Sequence, residues 1–127
     1  MKKFTALILS LLLLAGCSRA PADAGYRQVS TADAIAIMES EEGYLILDVR
    51  TPEEFAAGHI PGAVNIPNES IGTDEIPQLP VKDQLILVYC RSGNRSKQAS
   101  SKLVKLGYTN IVEFGGINSW TGETVKN

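Results

Sequence analysis

The sequence predicts an α/β domain in which a parallel β-sheet is flanked by helices. Two apolar stretches of strand length, residues 44–49 and 84–89, are almost unbroken, as expected of strands buried on both faces. Helix patterns alternate with these runs, the order that builds a parallel sheet through crossover connections. Glycine and proline punctuate the boundaries between them.

The elements follow in chain order. Residues 1–16 read as an export signal: Lys2 and Lys3 precede a leucine-rich apolar stretch that ends in small residues. The stretch is too short and too close to the N-terminus for an ordinary spanning helix. Residues 17–28 are expected to be a tether, small and polar around Pro21 and Gly25, with the folded domain over residues 29–127. Ser30 offers an N-cap hydroxyl for a first helix, with Asp33 three residues on and Gly43 beyond its acidic end. After the strand at 44–49, Thr51-Pro52-Glu53-Glu54 combines a capping threonine, proline at the first helical position and a glutamate that closes a capping box. That short helix is expected to stop at Gly58. Residues 63–66 form a short strand between Pro61-Gly62 and Pro67, and residues 68–81 are mostly loop. A second strong strand at 84–89 leads into a loop opened by Cys90, then a helix over 96–106 that Gly107 stops. A last strand at 110–114 precedes Gly115-Gly116 and a short helix holding Trp120.

Charge and cysteine usage narrow the chemistry. The 127 residues carry twelve basic and fourteen acidic side chains, and losing Lys2 and Lys3 with the signal leaves ten against fourteen. That mildly acidic balance gives no support to nucleic-acid binding. Cleavage before Cys17 leaves 111 residues, enough for one core and a monomeric domain. Of the two cysteines, Cys17 belongs to the N-terminal segment, which leaves Cys90 without an intramolecular partner in an exported protein. No acidic residue lies between Asp83 and Glu113, whereas Arg91, Arg95, Lys97, Lys102 and Lys105 all do. Cys90 therefore stands at a strand end, before a helix N-terminus and beside Arg91 and Arg95. Backbone N–H groups, the helix dipole and guanidinium charge all favour a thiolate there, and Gly93 permits close backbone approach. The competing reading is an inert buried cysteine. His59 is the sole histidine, so no histidine-based metal cluster can form; neither a metal nor another cofactor is expected.

Several motifs carry a family resemblance. Leu47-Asp48-Val49-Arg50, Glu54-Phe55 with Gly58-His59-Ile60-Pro61-Gly62-Ala63, Cys90-Arg91-Ser92-Gly93-Asn94-Arg95-Ser96, and Gly115-Gly116 before Trp120 resemble a rhodanese domain in order and spacing. The resemblance implies a three-layer fold with a central parallel sheet between helices. It implies Cys90 as the persulfide-forming nucleophile of a thiosulfate sulfurtransferase. Arg91, Ser92, Gly93, Asn94, Arg95 and Ser96 would form the cradle for a small anionic donor such as thiosulfate, and cyanide or a thiol would be the acceptor. Asp48 and Arg50 are expected to anchor the strand end as an ion pair or by hydrogen bonds, and His59 to hydrogen-bond within its turn. Trp120 is expected to pack in the core, and Glu53 and Glu54 to serve the helix cap alone. Leu14-Ala15-Gly16-Cys17 resembles the lipobox of bacterial lipoproteins, which implies lipidation of Cys17 and tethering in the cell envelope: on the periplasmic side in a diderm, on the outer face of the membrane in a monoderm.

Two rivals remain. A related cysteine phosphatase or arsenate reductase needs Cys-x5-Arg to wrap a tetrahedral oxyanion, and Arg95 gives Cys-x4-Arg. A sulfur carrier that docks on a redox partner and turns over slowly would use the same loop.

Overall fold

The computed structural model describes residues 25–127, so the export signal, Cys17 and most of the expected tether lie outside the described residues. Five strands form one sheet: β1 (Arg27–Gln28), β2 (Leu45–Asp48), β3 (Val64–Asn65), β4 (Ile86–Cys90) and β5 (Ile111–Gly116). Their spatial order is β1-β5-β4-β2-β3, and every pairing is parallel. Three helices accompany them: α1 (Thr31–Ser40), α2 (Pro52–Ala57) and α3 (Asn94–Lys105). The sheet begins earlier than expected. Arg27 and Gln28, assigned to the tether, pair with Val112 and Glu113 of β5, because the exposed edge of β5 offers backbone partners to any extended segment beside it.

Local signals account for the helices. The Ser30 hydroxyl accepts the Asp33 N–H at 3.1 Å and opens α1. Thr51 and Glu54 close a reciprocal capping box around Pro52 at the start of α2. α3 starts two residues before the expected position, with Gly93 as its N-cap at φ +116°. Asn94, Arg95 and Ser96 therefore lie in the first helical turn. The positive φ of Gly93 turns the backbone into the helix at once, which a side chain would resist. Gly107 ends the helix region at φ +97°. The short helix expected to hold Trp120 is a single 3-10 turn, Ile117–Ser119, and Trp120 caps its end.

Both faces of the sheet are covered, which explains its unbroken apolar runs. Along β4, Ile86, Val88 and Cys90 point to a core shared with Ala99 and Leu103 of α3. Leu87 and Tyr89 point the other way, to Ala34 of α1, Ile60 and Phe114, with Trp120 packed alongside. β2 runs out toward β3 and β4 runs out toward β5, so the sheet's topological switch lies between β2 and β4. Parallel sheets leave a crevice at the carboxyl ends of such a pair. Cys90 is the last residue of β4 at that end. No helix among the described residues is long and apolar enough to cross a membrane.

Candidate active site

The alternation of β4 places the Cys90 side chain under the N-terminus of α3, and the turn through Gly93 wraps the backbone over it. Cys90 is only 1% exposed, and its Sγ accepts the Gly93 N–H at 3.0 Å. The Ser96 hydroxyl lies 3.4 Å from Sγ. Burial pushes the thiol up, but the Ser96 hydroxyl and the N–H groups of Ser96, Gly93 and Ser92 outweigh it, leaving the thiol below its ordinary value. The unpaired N–H groups of a helix start thus find their acceptor in sulfur.

The arginines do less for the thiolate than the sequence suggested. Arg95 donates from Nη1 and Nη2 to Glu54 Oε1 and Oε2 at 2.7 and 3.0 Å, a bidentate pair that offsets its charge. That hydrogen bonding draws the Glu54 carboxyl down to about 2; burial opposes the shift and Thr51 assists it. Glu54 therefore does more than cap α2, contrary to the expectation for it: it ties α2 to the first turn of α3. Arg91, Ser92 and Asn94 are exposed at the rim, while Gly93 and Ser96 are buried with the sulfur.

Two groups of the site were not foreseen. Glu113 is 2% exposed, and its Oε1 accepts the Ser96 hydroxyl and the Gly115 N–H, both at 2.8 Å. Gly116 lies directly beneath the loop, where a Cβ would fall 2.0 Å from the Arg91 carbonyl oxygen. The Gly115-Gly116 motif was a signal for the second; nothing local marked the first.

Asp48 and Arg50 form the expected ion pair, with Nη2 donating to Oδ2 at 2.7 Å and to the Gly58 carbonyl at the same distance. Both side chains are buried, and the Arg50 guanidinium lies 5.7 Å from the centre of the Tyr89 ring. The pair locks the end of β2 to the turn after α2. His59 stacks on Phe55 at 3.7 Å, and its Nδ1 lies 2.8 Å from the Phe55 carbonyl, so that nitrogen carries the proton. Its backbone pairs with Val125 and holds the C-terminal segment. These three residues support the crevice from outside.

Residues 30–123 match the model of the rhodanese-like domain. The chain belongs to this family. Residues 1–18 match the model of a prokaryotic membrane lipoprotein lipid attachment site, which includes Cys17. The rhodanese-like domain is 35% identical over 106 residues to the thiosulfate sulfurtransferase GlpE of Pseudomonas entomophila, covering 80% of this chain and 94% of the relative. It is also 35% identical over 88 residues to YrkF, a candidate sulfur carrier protein of Bacillus subtilis, covering 68% of this chain and 46% of that one. At 35% identity the chain matches the fungal adenylyltransferase and sulfurtransferase UBA4 of Candida albicans over 84% of its own length but spans only 26% of that protein. Among solved structures, a rhodanese with anions from E. coli superposes with a TM-score of 0.60 at 34% identity, covering 66% of this chain and 99% of the other.

Proposed function

We propose that this rhodanese-like domain is a sulfurtransferase that takes sulfane sulfur from thiosulfate, or a similar small anionic donor, and passes it to cyanide or a thiol. The observation that carries this reading is the buried Cys90 sulfur, ringed by N–H groups and the Ser96 hydroxyl at the start of α3. The thiolate attacks the outer sulfur of the donor. The donor's S–S bond breaks, its electron pair leaves on sulfite, and Cys90 holds a persulfide. An acceptor nucleophile then takes the outer sulfur and returns the thiolate. The same N–H groups face the negative charge throughout, so little reorganisation accompanies transfer. Arg91, exposed at the rim, draws the anionic donor inward, and Arg95 joins it where the donor competes with Glu54. Ser92, Gly93 and Asn94 complete the loop around the entering sulfur.

Cys17, within the lipid attachment match, carries the anchor in this reading. More than one acyl chain is generally needed for stable tethering. The domain then works in the bacterial envelope: on the periplasmic side in a diderm, on the outer face of the membrane in a monoderm. The segment after Cys17 supplies the tether, and the folded domain has begun by Tyr26, which packs against the core.

Intact mass tests the chemistry. The chain lacking residues 1–16, incubated with thiosulfate, gains one sulfur atom and releases sulfite, while Cys90→Ser gains none. No adduct and no sulfite would sink the assignment of thiosulfate. A carrier role is the second reading, supported by the likeness to YrkF. It predicts slow turnover with small acceptors but rapid transfer to one protein partner.

A further inference from the structure

The two arginines of the Cys90 loop stand differently. Among the described residues the ion pairs are Asp48–Arg50, Glu75–Lys82 and Glu54–Arg95, so Arg91 lies exposed at the rim with no such partner. Arg95 is in the first turn of α3, and Glu54 reaches it from α2. Hydrogen bonding to Glu54 is the main cause that holds Arg95 above its ordinary value; burial opposes it, and the charges of Glu54, Cys90 and Glu69 assist. The guanidinium is thus within electrostatic reach of the sulfur, while its hydrogen bonds go to Glu54.

Glu54 keeps its place without Arg95. Its Oε1 also accepts the Thr51 N–H at 3.3 Å and the Thr51 hydroxyl at 3.2 Å, and its own N–H donates to that hydroxyl. Arg95 can leave, and the cap of α2 still holds the carboxylate. Each side chain of the pair is 26% exposed, and ion pairs open to water are held weakly. A doubly charged donor with several oxygens offers the guanidinium the same two-point contact at higher charge. Two N–H···O bonds to Glu54 break, two to the donor form, and no proton moves.

We propose that Arg95 changes partner during turnover, from Glu54 in the empty site to the dianionic donor in the loaded one, and that Glu54 thereby limits how tightly the site holds dianions. Glu54 is a positioning residue that tunes specificity, since it acts on the donor through Arg95. The return of Arg95 to Glu54 assists the departure of sulfite and weakens the hold on an unreactive dianion such as sulfate. This role rests on the reading of the Cys90 loop as the cradle of a small anionic donor.

Sulfate has no sulfane sulfur to give, so its binding tests the exchange apart from sulfur transfer, which the thiosulfate adduct tests by itself. The full chain, isotope-labelled and held in detergent, is titrated with sodium sulfate at constant ionic strength and followed by NMR at the Gly93 N–H. Water-exposed pairs favour the paired state by up to about fivefold, and affinity falls with the fraction of guanidinium left free. Glu54→Gln is therefore expected to bind sulfate about fivefold more tightly and to lower KM for thiosulfate by a similar factor, without raising kcat. In an Arg95→Gln background the same change should gain less than about twofold, the residue of screened repulsion by the Glu54 charge. Unchanged, weaker or absent sulfate binding in Glu54→Gln overturns the proposal, because Glu54 would then be aiming Arg95 at the anion. An equal gain in the Arg95→Gln background overturns it too, and so does a KM that stays put while sulfate binding tightens. If Glu54→Gln does not fold, the parent decides. The Arg95 side-chain N–H signals, assigned by their loss in Arg95→Gln, are expected to shift as sulfate binds, and signals that stay fixed refute the exchange.

Discussion

Replacing Gly116 with alanine asks how far the end of β5 determines the shape of the Cys90 loop. Gly116 has φ −150°, an extended conformation open to any residue, so the penalty is steric alone. The added Cβ would lie 2.0 Å from the Arg91 oxygen, 2.2 Å from its carbonyl carbon and 2.5 Å from the Ser92 nitrogen. Real Cβ atoms essentially never approach within 3.0 Å, and all three atoms belong to backbone. The loop must lift by about 1 Å, and a misplacement of that size can cost a reaction about 100-fold. Overpacking also costs about 1–3 kcal/mol of stability. The bond from the Asn118 N–H to the Arg91 carbonyl, 3.2 Å long, would be strained by the same movement. Steady-state sulfur transfer from thiosulfate to cyanide, measured beside thermal unfolding, reads both effects. The expected outcome is a folded protein with kcat/KM lower by about 100-fold and a Tm lower by roughly 4–8 °C per kcal/mol. Gly62→Ala is the control. Gly62 has φ +82° with nothing within 4 Å of an added Cβ, so strain should lower Tm and leave transfer intact. Gly116→Ala retaining parental activity would refute the claim that this glycine sets the loop.

Glu54→Gln keeps a residue able to close the α2 capping box but removes the charge pair with Arg95. The Glu54 carboxyl is held at about 2 in the fold, so its stabilisation is complete above the unfolded carboxylate value and fades as pH falls toward 2. With each side chain 26% exposed, solvent screens the pair to about 1 kcal/mol; thermal unfolding from about pH 6 to pH 2 should show that loss in the parent and not in Glu54→Gln. Tyr89→Phe leaves the buried Ile60 N–H without the phenol oxygen that accepts it at 3.1 Å, and urea unfolding should report a loss of about 1–3 kcal/mol. Arg91→Ala removes an exposed guanidinium, so KM for thiosulfate should rise and its salt dependence weaken while Tm stays constant. An unchanged salt dependence would remove Arg91 from donor capture.

The helix caps, the two buried strands and the thiol at the strand end were legible because each depends on neighbours within a few residues. Ser30 with Asp33, and Thr51 with Glu54, are local hydrogen-bonding patterns, and a doubly covered strand shows itself as an unbroken apolar run. The early start of α3 was less legible. Ser92 to Asn94 suit a loop by composition, and only the left-handed turn at Gly93 brings Asn94 and Arg95 into the helix. Asp48 with Arg50 lay close enough in sequence to be expected as a pair.

From its sequence alone, the protein emerges as an α/β domain with a lone reactive cysteine in a basic, acid-free stretch. Folding alters the electrostatics of that stretch. Glu54 reaches Arg95 across 41 positions and Glu113 reaches Ser96 across 17, so two carboxylates close around a segment with no acidic residue of its own. The ionisation of Cys90 consequently rests chiefly on Ser96 and backbone N–H groups, with Arg95 adding its charge while paired to Glu54. Only tertiary structure could decide this, because charges act through distances in space, and the crossing of α2, α3 and β5 sets those distances.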